Sequence, residues 1–258
     1  MTHEIAASSG DCHPILQTQI DLTAALRMAY RLGLSEGICN HFSALVPGQE
    51  HLCCINPQGL HWSEITPADI MVVDSSGCIV QGKHPVEPSA FFIHLHVHKQ
   101  HPNARCVMHA HSPYATALTL LDGVRLEPVS QNALRFYGKV AYDDHYNGLA
   151  VDDREGERIA KCLGASTILM MASHGVIVCS DSIAGAFDDL YYLERACMVQ
   201  VLAMSTGRPL RRISETVAAE TVRQIDEDRT QMRLHFDALK RVLDREEPEW
   251  RGTGYRDI

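Results

Sequence analysis

The sequence predicts a mixed α/β domain in which helices and short strands alternate without a fixed rhythm. Apolar residues recur at helical spacing in several long segments. Between these lie short apolar runs bounded by turn residues, and the two kinds never settle into the regular βαβ repeat of a doubly wound sheet. A chain of 258 residues, 45% of them hydrophobic, can bury one large core, so one domain is expected rather than two.

The elements follow in order. Leu22, Leu26 and Ala29 stand at i, i+4, i+7 and predict a helix from about Ile15 to Leu34, ended by Gly33 and Gly37. Short strands are expected at Phe42 to Val46 and His51 to Asn56. Thr66-Pro67-Ala68-Asp69 reads as one helical turn, with a Thr cap, Pro at the first position and an acid behind it. Ile70 to Val73 and Cys78 to Val80, parted by Asp74-Ser75-Ser76-Gly77, read as a hairpin. A helix is expected from Ser89 to Gln100, then a strand from Arg105 to Ala110, and Ser112-Pro113 opens a helix through Leu121. Two strands, Thr167 to Ala172 and Val176 to Cys179, flank Ser173-His174-Gly175. Ile183, Phe187, Leu190, Cys197, Val201 and Met204 form one stripe and predict a helix from Ile183 to Met204. Beyond Gly207-Arg208-Pro209 a polar amphipathic helix is expected from about Glu215 to Leu243, with a solvated or subunit-bridging face. The expected organisation is a flexible N-terminus over 1–14, a domain over 15–210, and a C-terminal helix and tail over 211–258.

Composition narrows the function. A formal charge of −9 argues against a nucleic-acid or anionic-membrane surface, either of which needs a basic face. No apolar run approaches the roughly 20 residues of a membrane span. The first residues, MTHEIAASSGDCHPILQTQ, lack a basic segment followed by an apolar one, so no signal peptide is expected. The nine cysteines include no Cys-x-x-Cys, and Cys106 and Cys179 sit in apolar runs. They read as reduced, buried small hydrophobes of a cytoplasmic protein.

Histidine carries the chemistry. In Val107-Met108-His109-Ala110-His111-Ser112 two histidines end a predicted strand. Residues i and i+2 share a face, so both rings can reach one cation at about 2.0–2.1 Å. Spacing alone equally admits two ordinary histidines. His174 precedes Gly175, which would let the chain turn tightly beside a bound group, but a hydrogen-bonded core histidine fits the same position. His94, His98 and His101 share one helix face, where partly exposed residues or a subunit contact are expected rather than a second metal.

His109-Ala110-His111-Ser112-Pro113, Ser173-His174-Gly175-Val176 and the helix from Ala184 to Cys197 resemble the class II aldolase/adducin family, over about Ile20 to Gly207. The resemblance implies a three-layer α/β/α fold around a central, largely antiparallel sheet, assembled as a homotetramer and acting on a small molecule. It implies a divalent ion on His109, His111 and His174: Zn²⁺ first, with Mn²⁺ or Fe²⁺ also suited to three imidazoles. It implies substrate contacts from Asn40 and His41 in the turn Gly37-Ile38-Cys39-Asn40-His41-Phe42-Ser43, from Ser89, and from His94.

Two departures stand out. The glutamate that serves the family's sugar-phosphate aldolases as acid and base is replaced by Ala90, which moves no proton. Glu87, three residues upstream, is the candidate carboxylate. Ile38 and Cys39 are poor phosphate donors, which argues against a sugar phosphate. Cys39 to His41, Pro88 to His94 and Val140 to Tyr146 look most like the adducin branch. The expected function is therefore cleavage of a carbon–carbon bond, by decarboxylation or aldol cleavage, in a non-phosphorylated hydroxy or oxo acid through a metal-stabilised enolate. The alternative is a non-catalytic, cytoskeletal-type adducin module that keeps the fold and the metal site.

Overall fold

The computed structural model describes residues 14–252, so the expected flexible N-terminus lies outside the described residues except for Pro14. Its centre is a sheet of β1 (His41–Val46), β2 (Gln49–Ile55), β3 (Met71–Asp74), β4 (Ile79–Gln81), β5 (Cys106–Ala110), β6 (Val140–Asp143), β7 (Ile168–Met171) and β8 (Gly175–Ser180). The order is β4-β3-β2-β1-β5-β8-β7-β6. Every pairing is antiparallel except β6 with β7. β1 and β5 hold the middle, with His41 opposite His109.

Strand alternation divides the two faces. Phe42, Ala44, Met108, Ala110, Val176 and Val178 point into the larger core, shared with Leu22 and Leu26 of α1 (Pro14–Arg31) and Phe187 and Leu190 of α6 (Ile183–Met204). Val107, Leu169 and Ile177 point the other way, against Ile93 and Val97 of α2 (Pro88–Gln100) and Ile159 and Leu163 of α5 (Asp153–Leu163). The result is the three-layer α/β/α arrangement that the resemblance implied. His41, Ser43 and His109 alternate with the larger-core residues and so lie on the α2 side. Gly156 lets α5 settle on α2, since a Cβ there would run into the Phe92 carbonyl.

α6 spans the residues its apolar stripe predicted, capped where the Ser182 hydroxyl accepts the Gly185 N–H at 3.2 Å. α3 (Pro113–Thr119) follows β5 directly. The short α4 (Gln131–Leu134), β6 and α5 are additions to the predicted elements. The expected C-terminal helix is instead two, α7 (Glu215–Glu227) and α8 (Thr230–Glu246), broken at Asp228. α8 is no purely solvated face: Phe236 and Leu243, with Trp250 beyond it, are buried in the larger core. Arg27 of α1 ties this end down, pairing with Glu247 at 2.8 Å. Among the described residues no helix is long and apolar enough to cross a membrane.

Candidate metal centre

His109 lies one residue before the end of β5 and His111 one residue past it, so alternation turns both rings to the same face. β8 is the neighbour of β5, and the tight turn that enters β8 carries His174. The turn's left-handed residue is Ser173, at φ 56°, rather than Gly175. Gly175 is needed for space instead: a Cβ there would stand 2.6 Å from the Ala110 carbonyl and 2.7 Å from the His111 ring. The three histidines each offer a ring nitrogen, all within 4.8 Å of one another.

The protons on two of these rings are fixed from outside the cluster. The Val176 carbonyl can only accept, so His109 donates to it from Nδ1 at 3.0 Å. The Glu36 carboxylate likewise accepts from the Nδ1–H of His111, at 2.5 Å. In the neutral rings both Nε2 atoms are left as lone pairs, and they face each other 3.1 Å apart. Two lone pairs that close repel unless a proton or a metal cation sits between, and a ligand histidine held through its other nitrogen is the usual second shell of a metal site. Burial, reinforced by the neighbouring imidazoles, holds His109 well below the usual histidine pKa. Burial and His111 bring His174 down to about 4. Neutral imidazole is the form that ligates.

Around the triad, Asn40 is buried in a left-handed conformation at φ 74°. Its Oδ1 accepts the His111 N–H at 3.2 Å, while its buried Nδ2 has no partner. His41 stacks beside His109, ring centroids 4.9 Å apart, and bonds His94 at 2.9 Å. The expectation that His94, His98 and His101 are partly exposed or line a subunit contact is corrected for two of them: His94 and His101 are buried, while His98 is half-buried and bonded to Ser43 and to the Ala104 carbonyl. Among the described residues they do not form a second cluster of metal ligands.

Glu87 stands at the N-cap of α2 and Ser89 in its first turn, and the Ser89 hydroxyl donates to the Glu87 carboxylate at 2.8 Å. Among the described residues no hydrogen bond joins either to the triad. Ala90 is buried with Ile55, Met71 and Val73, a setting hostile to a carboxylate. Sequence reasoning missed two acids. Glu36 left no local signal. Glu194 interrupts the apolar stripe of α6 and was legible there: its buried carboxylate accepts the Tyr114 and Ala115 N–H groups at 2.9 and 2.8 Å, capping α3 just after His111.

Residues 20–201 match the family described as Class II Aldolase and Adducin N-terminal domain. The chain is 34% identical over 241 residues to a Pseudomonas aeruginosa protein named for aldolase class 2, covering 91% of this chain and 92% of that one. It is 31% identical over 203 residues to Decarboxylase NovR of Streptomyces niveus, covering 78% of this chain and 74% of the relative. Among solved structures, an aldolase II superfamily protein from Pseudomonas syringae superposes with a TM-score of 0.85 at 30% identity, over 94% of this chain and 98% of that one. The chain belongs to the class II aldolase and adducin N-terminal domain family.

Proposed function

We propose that the chain is a carbon–carbon lyase that cleaves a non-phosphorylated hydroxy or oxo acid with a divalent cation, Zn²⁺ first among candidates, held by His109, His111 and His174. The observation that carries the reading is the pair of Nε2 atoms 3.1 Å apart, with both Nδ1 atoms already engaged by the acceptors Val176 and Glu36. Three neutral imidazoles leave a coordination position free, the layout of catalytic rather than structural sites. A cation bound there would supply an electrophile for negative charge developing on a substrate oxygen as the bond breaks.

The chain's own residues supply the rest. Nδ2 of Asn40 is a buried donor with no partner, and leaving it unmatched costs about 1–3 kcal/mol. A substrate carboxylate or carbonyl oxygen at the triad would satisfy it. Decarboxylation needs no base on a hydroxyl at the breaking bond, so it tolerates Ala90 better than aldol cleavage does, and a relative named as a decarboxylase supports that choice. Ile38 is exposed and Cys39 carries only a thiol in the turn before Asn40, so neither offers a strong donor to a phosphate.

The test is metal analysis of the purified protein, followed by a panel of hydroxy acids, oxo acids and sugar phosphates. One equivalent of divalent ion and turnover of an acid are expected, both lost in His109→Ala. Protein that holds no stoichiometric ion, or that cleaves only sugar phosphates, would overturn the reading.

A further inference from the structure

A row of polar side chains, buried at His41, Ser43 and His94 and half-buried at His98, runs from beside the triad into the layer between the sheet and α2. The His98 Nδ1 lies 2.6 Å from the Ala104 carbonyl, and the His98 Nε2 lies 2.8 Å from the Ser43 hydroxyl. That hydroxyl also contacts the His94 Nδ1, and the His94 Nε2 lies 2.9 Å from the His41 Nδ1.

The directions of these bonds are determined from one end. A carbonyl only accepts, so the proton of His98 is on Nδ1 and its Nε2 is a lone pair. Ser43 has one proton and gives it to that lone pair, so it must accept from the His94 Nδ1–H. The His94 Nε2 is then bare and accepts from the His41 Nδ1–H. His41 is left with an unprotonated Nε2. The Cys53 thiol also approaches the His98 Nε2, but at 3.7 Å, and a thiol is the weaker donor. Burial brings His98 down to about 4, which keeps the anchoring ring neutral.

We propose that this chain of bonds makes the His41 Nε2 a fixed hydrogen-bond acceptor for a hydroxyl of the substrate bound beside the triad. Register places it there: His41 stands opposite His109 on adjacent strands, on the same face of the sheet. Asn40 next to it contributes the complementary unpartnered donor. Together they fit a ligand carrying a hydroxyl and an anionic oxygen, so among the acids of the proposed function, on which this inference rests, hydroxy acids are favoured over oxo acids. An oxo group would bring a lone pair against a lone pair.

The experiment has two arms on the zinc-loaded, histidine-¹⁵N-labelled protein. Long-range proton–nitrogen spectra, assigned by single substitutions, should place the protons of His41, His94 and His98 on Nδ1. In Ser43→Ala, which removes only the middle link, His41 should lose its fixed Nδ1–H form. A wild-type His41 protonated on Nε2 would overturn the proposal. Titration with lactate and with pyruvate should show lactate binding weakened about 5-fold in His41→Ala, the scale of one neutral hydrogen bond, and pyruvate binding not weakened. Equal losses for both ligands, or none, would overturn it too. Failure of the protein to take up zinc would sink the lyase reading alone, and the tautomer pattern would still decide the wiring.

Discussion

His98 illustrates how the site's residues depend on being neutral. Its folded pKa, pushed by burial to about 4, lies below the 6.5 of a free histidine. Between those values the unfolded chain binds a proton that the folded chain refuses, so stability falls with pH there, by up to about 1.4 kcal/mol per pH unit for one such group. The contribution is fully present above about pH 6.5 and is lost as the pH drops through 4. His41, His94 and His109 are depressed by burial in the same direction. Urea unfolding of metal-free protein should therefore show a steep loss of stability from pH 7 to 4.5, shallower in His98→Gln. A stability that is flat over this range would contradict the buried neutral chain. At this scale His109 and His111 were legible as neighbours, because strand alternation puts i and i+2 side by side, and their role as ligands was implied by the resemblance. Glu36 was not, since its bond to His111 joins residues 75 positions apart and no local pattern marks it. Ser43 was hidden for the same reason, being an ordinary strand serine until α2 lays two histidines over it.

Among the elements, α3 shows the tightest coupling between framework and site. It begins two residues after His111, and its first free N–H groups are satisfied by no local side chain but by Glu194 on α6. A carboxylate there also faces the positive end of the helix dipole. Glu194→Ala should destabilise the protein by about 1–3 kcal/mol, because two buried N–H groups lose their acceptor. It should also weaken metal binding by loosening the chain just after His111, whereas Glu194→Gln should retain part of both. Chemical denaturation and metal titration of the two variants read this out, and an unchanged Glu194→Ala would exclude the role. α1 and α6 were legible because each keeps an apolar stripe over several turns. α5 was not: its eleven residues are mostly charged, with a glycine that a helix normally avoids and that close packing on α2 demands. β6 is a four-residue edge strand, half-buried and without alternation. The break between α7 and α8 falls at Asp228, where neither glycine nor proline announces it.

For the whole molecule, the layered fold follows from the faces of its strands, but a single chain leaves the rim of the site wet. The segment after β6 carries Tyr146, Leu149 and Val151 at 53%, 73% and 63% exposure, and the Tyr146 ring lies 6.2 Å from that of His174. Leu120 and Leu121 are exposed as well, on the wall of a cleft that also takes in Asp144 and Ser173. Apolar side chains gathered at one place gain about 1.5–3 kcal/mol each on full burial, so the rim favours a second copy of the chain closing over it. A homotetramer is also what the resemblance read from the sequence implied. We therefore expect a homotetramer in solution whose subunit boundaries run beside the triad. Static light scattering at micromolar concentration should give four chains, and Leu149→Asp with Val151→Asp should shift the mass downward and lower turnover together, because the site loses its cover. The triad does not involve either residue, so metal content should hold in the smaller species. A wild-type monomer would refute the assembly, and a double variant that stays tetrameric would move the boundary away from this rim.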